Sequence, residues 1–139
     1  MKRGFIITLI SFVVVLAFGK QIKRHCASLM CSDDFKIVSV RFKDALGNPI
    51  AVKDFKAVNL RTRQSMVVGS VTDTMYSKGN YTIASDLHVK KVSEEGDTII
   101  VSGIHPDSNI GQVAKLVIAR DDCSCHVAKL AGPEEIVFH

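Results

Sequence analysis

Val38-Ser39-Val40-Arg41-Phe42-Lys43-Asp44-Ala45-Leu46-Gly47-Asn48-Pro49 decides the fold class. Val38, Val40 and Phe42 alternate with Ser39, Arg41 and Lys43, so one face is apolar and the other wet. That two-residue period belongs to a half-buried strand and not to a helix. Asp44 to Pro49 then gathers residues that bond their own backbone, accept positive φ, or cannot continue a ladder, which makes a turn. The same pattern of short run and turn extends outward. Phe55 to Arg61 and Ser65 to Val71 read as strands, as does Tyr81 to Ser85 after Lys78-Gly79-Asn80. Thr98 to Ser102 follows the polar turn at Glu94-Glu95-Gly96-Asp97, and Gln112 to Arg120 follows the loop that starts at His105. Cys125 to Leu130 and Ile136 to Phe138 flank Gly132-Pro133. After the N-terminal leader no segment keeps a helical period for about eleven residues. The expected fold is therefore all-β, a single antiparallel two-sheet sandwich of seven or eight short strands, with a small closed barrel as the competing architecture.

The leader is a different kind of sequence. Hydrophobic residues make up 47% of the 139 residues, a figure raised by the dense run Phe5 to Phe18. Met1-Lys2-Arg3 before this run and Ala17-Phe18-Gly19 at its end have the order of an export signal, with cleavage expected before Lys20. About fifteen helical residues reach only about 22 Å, short of a hydrocarbon core of about 30 Å. An uncleaved anchor is the alternative, and Lys20, Lys23 and Arg24 just beyond the run are what favours it. The expected organisation is a signal peptide or anchor helix at 1–19, a cysteine-bearing leading segment at 20–34 and a sandwich domain at 35–139. The domain is expected to be exported, periplasmic or extracellular, or else held outside the inner membrane by the anchor.

Composition excludes several functions. The formal charge of +4 falls to +2 once Lys2 and Arg3 leave with the leader, and the acids are spread along the chain, so no basic stripe exists for nucleic acid. There is no Trp, and beyond the leader the only aromatic residues are Phe35, Phe42, Phe55, Phe138, Tyr76 and Tyr81. A core of this size uses most of those rings, leaving few for sugar or base stacking. No cofactor is expected. The sequence names no partner; another envelope protein is the candidate, nucleic acid is not expected, and the membrane would be met only through an uncleaved N-terminal segment.

Four cysteines form two pairs at opposite ends of the domain, Cys26 with Cys31 and Cys123 with Cys125. An even count in a small exported domain points to disulfides joining the two ends, although the spacing leaves the pairing open. The alternative is an envelope metal-binding protein, in which His25, Cys26, Cys31, Cys123, Cys125 and His126 offer thiolate and imidazole ligands to zinc or copper. Reactive thiols are disfavoured, because Asp33-Asp34 and Asp121-Asp122 surround the cysteines with negative charge. Ser102, His105 and Asp107 bring triad residue types together, but a triad is assembled in space and no Gly-x-Ser-x-Gly elbow is present, so they read as a plain loop. His88 and His105 read as solvated or satisfied histidines. With no clustered acid, base and nucleophile, the expected role is a non-enzymatic binding or structural module with no catalytic residues.

Val38 to Ile50, a strand running into an Asp-x-x-Gly-x-Pro turn, resembles the opening of carboxypeptidase regulatory-like, or transthyretin-like, sandwich modules. Gly79-Asn80-Tyr81-Thr82-Ile83 is similar to their Gly-x-Tyr-x-apolar element. Asp122 to Pro133 resembles the tail of small exported proteins of Bacteroidota, often lipoproteins. This chain lacks a cysteine placed for lipidation. The resemblance implies an exported sandwich and brings no catalytic residues with it. The His, Arg and terminal Tyr-Arg-Gly-Ser signature of the transthyretin-like 5-hydroxyisourate hydrolases is absent, the chain ending Glu134-Glu135-Ile136-Val137-Phe138-His139.

Overall fold

A computed structural model describes residues 31–67 and 78–139. The expected signal or anchor, His25, Cys26 and the 68–71 end of the third expected strand lie outside the described residues. Contacts divide the chain into two units, Met1–Cys31 and Ser32–His139, and all seven described strands belong to the second.

The strands are β1 (Ile37–Lys43), β2 (Lys53–Asn59), β3 (Asn80–Ser85), β4 (Asp97–Ile104), β5 (Gly111–Arg120), β6 (Val127–Ala131) and β7 (Glu135–Val137). They form a three-stranded sheet ordered β3-β1-β7 and a four-stranded sheet ordered β2-β4-β5-β6. The expectation of a mostly β chain with two sheets is met, and of the seven or eight short strands expected, seven stand among the described residues. Two differences stand out. β7 pairs parallel with β1, because the chain leaves β6 in the larger sheet and crosses at Gly132-Pro133 to reach the smaller one, so no hairpin joins them. The expected third strand is reduced, among the described residues, to a single bridge between Ser65 and Val58. A 3-10 helix at Asp86–Lys91, which hydrophobic period did not foretell, follows β3 directly.

Alternation along β1 and β4 builds the core. Val38, Val40 and Phe42 point inward from β1 and Ile99 and Val101 from β4, joined by Ile83, Leu116, Ile118 and Met66 in one buried cluster drawn from both sheets. Phe42, fully buried, is its centre. Tyr81 and Phe55 meet Phe42 edge to face at 5.5 and 6.2 Å, and Phe138 lies 5.9 Å away. Each of these pairings adds about 1 kcal/mol to the burial of its rings. Tyr81 satisfies its hydroxyl on the backbone of Val52, whose N–H donates to it at 2.8 Å. Three of the six aromatic residues beyond the leader are thus buried in the core and Phe55 packs half-buried against it, whereas Phe35 is exposed.

The turn after β1 forms as its residue types require. Asp44 accepts the N–H groups of Leu46 and Asn48 at 2.9 and 2.8 Å, and its backbone closes the loop onto Asn48. These bonds, the Asn48 side chain first, hold the Asp44 carboxyl below its usual value. Gly79, at φ +72°, is squeezed beside this turn, where an added Cβ would sit 2.6 Å from the Phe42 carbonyl oxygen. Only glycine fits there.

Candidate functional site

Two polar clusters interrupt the apolar core, and they differ in what they leave open. The first surrounds Asp97, whose side chain is only 2% exposed. Arg61 grips it with both arms, Nε to Oδ1 at 2.6 Å and Nη2 to Oδ2 at 2.7 Å. Asn59 Nδ2 donates to Oδ2 at 2.7 Å and Ser93 Oγ to Oδ1 at 3.0 Å. The Arg61 bonds, helped by those of Asn59 and Ser93 and opposed by burial, hold the Asp97 carboxyl down at about 2. Asn59 also accepts the N–H of Arg61 at 2.9 Å and donates to the Lys91 carbonyl at 3.1 Å. Every bond of Asp97 goes to the protein itself. This network pins the loop after β2 and the end of the 3-10 helix onto β4, and its role is structural.

The second cluster lies where β1 and β6 begin and β3 ends. Asp86, first residue of the 3-10 helix, accepts the Lys36 N–H on Oδ2 at 2.8 Å and the Val127 N–H on Oδ1 at 2.9 Å. One carboxylate therefore ties together the starts of two strands from different sheets. Burial works to raise the Asp86 carboxyl, but the bonds from Lys36, His126 and Val127 outweigh it and hold the group below its ordinary value. His126 Nδ1 lies 2.8 Å from Asp86 Oδ2, and its Nε2 lies 2.9 Å from Ser32 Oγ. An ionised carboxylate can only accept, so Nδ1 carries the proton; in the neutral ring Nε2 is then an acceptor, and the Ser32 hydroxyl donates to it. The result is a linear chain of serine, imidazole and carboxylate. Exposure falls along it from the exposed Ser32 to His126 and Asp86, whose side chains are 20% and 12% exposed.

A groove of about 670 Å³ opens beside this chain, lined by Ile37, Ser39 and Arg41 of β1 and by His126, Ala128 and Lys129 at β6. The Arg41 N–H donates to the Glu134 carbonyl at 2.9 Å, so the odd residues of β1 turn their backbone groups toward the β7 side. β7 pairs only with Arg41, Phe42 and Lys43. Beyond it the backbone edge of Ile37 and Ser39 faces the groove, with no described strand paired to it on that side.

Cys31 is joined to Cys125 by a disulfide. Cys123 is also disulfide-bonded. In this oxidised form Cys31 and Cys125 have no thiolate to give a metal, and both ring nitrogens of His126 are engaged as described. Among the described residues no group of three or more His, Cys, Asp or Glu side chains is gathered to hold a metal ion. His105 does not meet Ser102 in a hydrogen bond. Its Nδ1 accepts the N–H groups of Asp107 and Ser108 at 3.2 and 3.3 Å, which closes a turn. His88 is buried against Ser85, and burial, followed by nearby Lys91, pushes its ring below the usual value.

Of the second cluster, sequence reasoning had singled out only His126. Ser32 carried a readable signal: Cys31-Ser32 and Cys125-His126 are adjacent pairs, so a bridge between the cysteines puts the serine and histidine side by side. Asp86 carried none, since nothing marks it apart from other carboxylates. Comparison with family models, with curated proteins and with solved structures gives no match.

Proposed function

We propose that this protein is an exported two-sheet sandwich of the transthyretin-like kind that acts by binding an extended polypeptide segment of another envelope protein. The observation that carries this reading is the backbone edge of Ile37 and Ser39, which faces the groove between β1 and β6 where β7 stops short. A strand laid there would continue the line of β7 and take up main-chain hydrogen bonds, with the flanking side chains setting its sequence. The Cys31–Cys125 disulfide supports an oxidising compartment, in keeping with the signal-like leader. A core cluster drawn from both sheets supports the sandwich architecture.

Selection from a phage-displayed library of random twelve-residue peptides, followed by amide exchange, tests this. Selected peptides should slow exchange of the Ile37 and Ser39 amides at least about tenfold. Failure to select any peptide, or protection confined to other strands, would mean that the groove is not the binding site.

A further inference from the structure

We propose that Ser32, His126 and Asp86 form a nucleophilic triad that transfers acyl groups from carboxylic esters, with Ser32 and His126 as the catalytic residues and Asp86 as the positioning residue. This goes beyond binding and does not depend on a peptide occupying the groove. Serine is a weak nucleophile until a neighbouring base can take its proton, and the base must itself be held in one tautomer and orientation. Both conditions are met. His126 Nε2 is 2.9 Å from Ser32 Oγ and its Nδ1 is 2.8 Å from Asp86 Oδ2, within the range of catalytic hydrogen bonds. Asp86 is fixed in turn by the Lys36 and Val127 N–H groups, so its rotamer is set independently of the histidine. The order of exposure also fits: the nucleophile is open to solvent, whereas the carboxylate is sheltered. If Ser32 served only to satisfy His126, water could do as well at so open a position.

The steps balance without any further reagent except water. Ser32 Oγ attacks the ester carbonyl carbon, an Oγ–C bond forms, the carbonyl π pair moves onto oxygen, and the hydroxyl proton passes to His126 Nε2. Collapse of this intermediate breaks the bond to the alkoxy group, which leaves as the alcohol with the proton from Nε2. A water then attacks the acyl carbon and gives one proton to Nε2. The Oγ–C bond breaks, Ser32 recovers that proton, and the carboxylic acid is released. His126 lines the groove beside β1, so an ester lying there meets the base; Lys36 lines it too, its ammonium 3.4 Å from Asp34 Oδ2.

The probe is an alkyl phosphonofluoridate, in which serine attack on phosphorus expels fluoride. The oxidised protein should gain one adduct by intact mass, mapped to Ser32, and Ser32→Ala should gain none. His126→Gln, checked for folding by near-ultraviolet circular dichroism, should label at least about a hundredfold more slowly. Asp86→Asn keeps both catalytic side chains and should slow labelling by a similar factor. In proton NMR it should also lose the downfield Nδ1–H resonance of a carboxylate-bonded histidine, a signature that a merely structural aspartate would not govern. No adduct at Ser32, or labelling of Ser32 in His126→Gln or Asp86→Asn as fast as in the natural protein, overturns the triad.

Discussion

Asp86 Oδ2 accepts both the backbone N–H of Lys36 and the imidazole Nδ1 of His126, each at 2.8 Å, so residues fifty positions before it and forty after it share one oxygen. Removing that carboxylate strips partners from two strand-starting N–H groups and from a sheltered ring. Asp86→Ala is expected to lower stability by about 3 kcal/mol, the scale of losing charge-assisted hydrogen bonds with their donors left behind. Urea unfolding at neutral pH measures it. A loss under about 1 kcal/mol would mean that water replaces the carboxylate at no cost.

The Asp97 network gives the acid limb of stability. Its folded carboxyl sits at about 2 against an ordinary 3.8, so the stabilisation is fully present above pH 4 and disappears as pH falls through 2. That difference is worth about 2 kcal/mol. Unfolding free energy followed from pH 5 to pH 2 should drop more steeply in the natural protein than in Asp97→Asn. Arg61→Ala, which leaves a buried carboxylate with only neutral partners, is expected to cost about 3 kcal/mol.

Gly79→Ala tests the packing where the start of β3 meets the end of β1. At φ +72° with a carbonyl oxygen 2.6 Å from the new Cβ, the backbone must move, and Phe42 N loses its bond to the Gly79 carbonyl, now 2.7 Å. A loss of about 3 kcal/mol or more is expected by thermal unfolding. Gly47→Ala, at φ +85° but with open space around it, should cost only about 1 kcal/mol.

Reduction should loosen Ser32 before it unfolds the sheets. Joining Cys31 to Cys125 closes a loop of more than ninety residues, worth about 4 to 5 kcal/mol of loop-closure entropy. Cys31→Ser is expected to lower the melting temperature and to lengthen the Ser32–His126 contact, read as loss of any nuclear Overhauser effect between the Ser32 Hβ and His126 ring protons. Retention of that effect would show that the contact stands without the bridge.

Strand existence was legible because alternation is a local property. Val38, Val40 and Phe42 show it within five residues, and β1, β3, β4 and β5 emerged within a few residues of their expected ends. The parallel pairing of β7 was not legible, since it depends on a crossing between sheets that Gly132-Pro133 permits but does not dictate. Nor was the 3-10 helix, which is too short to display a period. For the site, triad residue types lie close in sequence at Ser102, His105 and Asp107, where no triad forms. The chain instead assembles serine, histidine and aspartate from residues 32, 126 and 86, and in the sequence the histidine stands out only as a metal ligand. Adjacent Cys-Ser and Cys-His pairs held the clue to two of the three.

The tautomer of His126 tests the organisation of the site most directly. Nitrogen-15 shifts of the imidazole in labelled, oxidised protein, recorded where the ring is neutral, should show a protonated Nδ1 and a bare Nε2 whose shift moves when Ser32 is changed to Ala. A neutral ring protonated on Nε2 would contradict the assignment, because Asp86 would then face a nitrogen with no proton to donate.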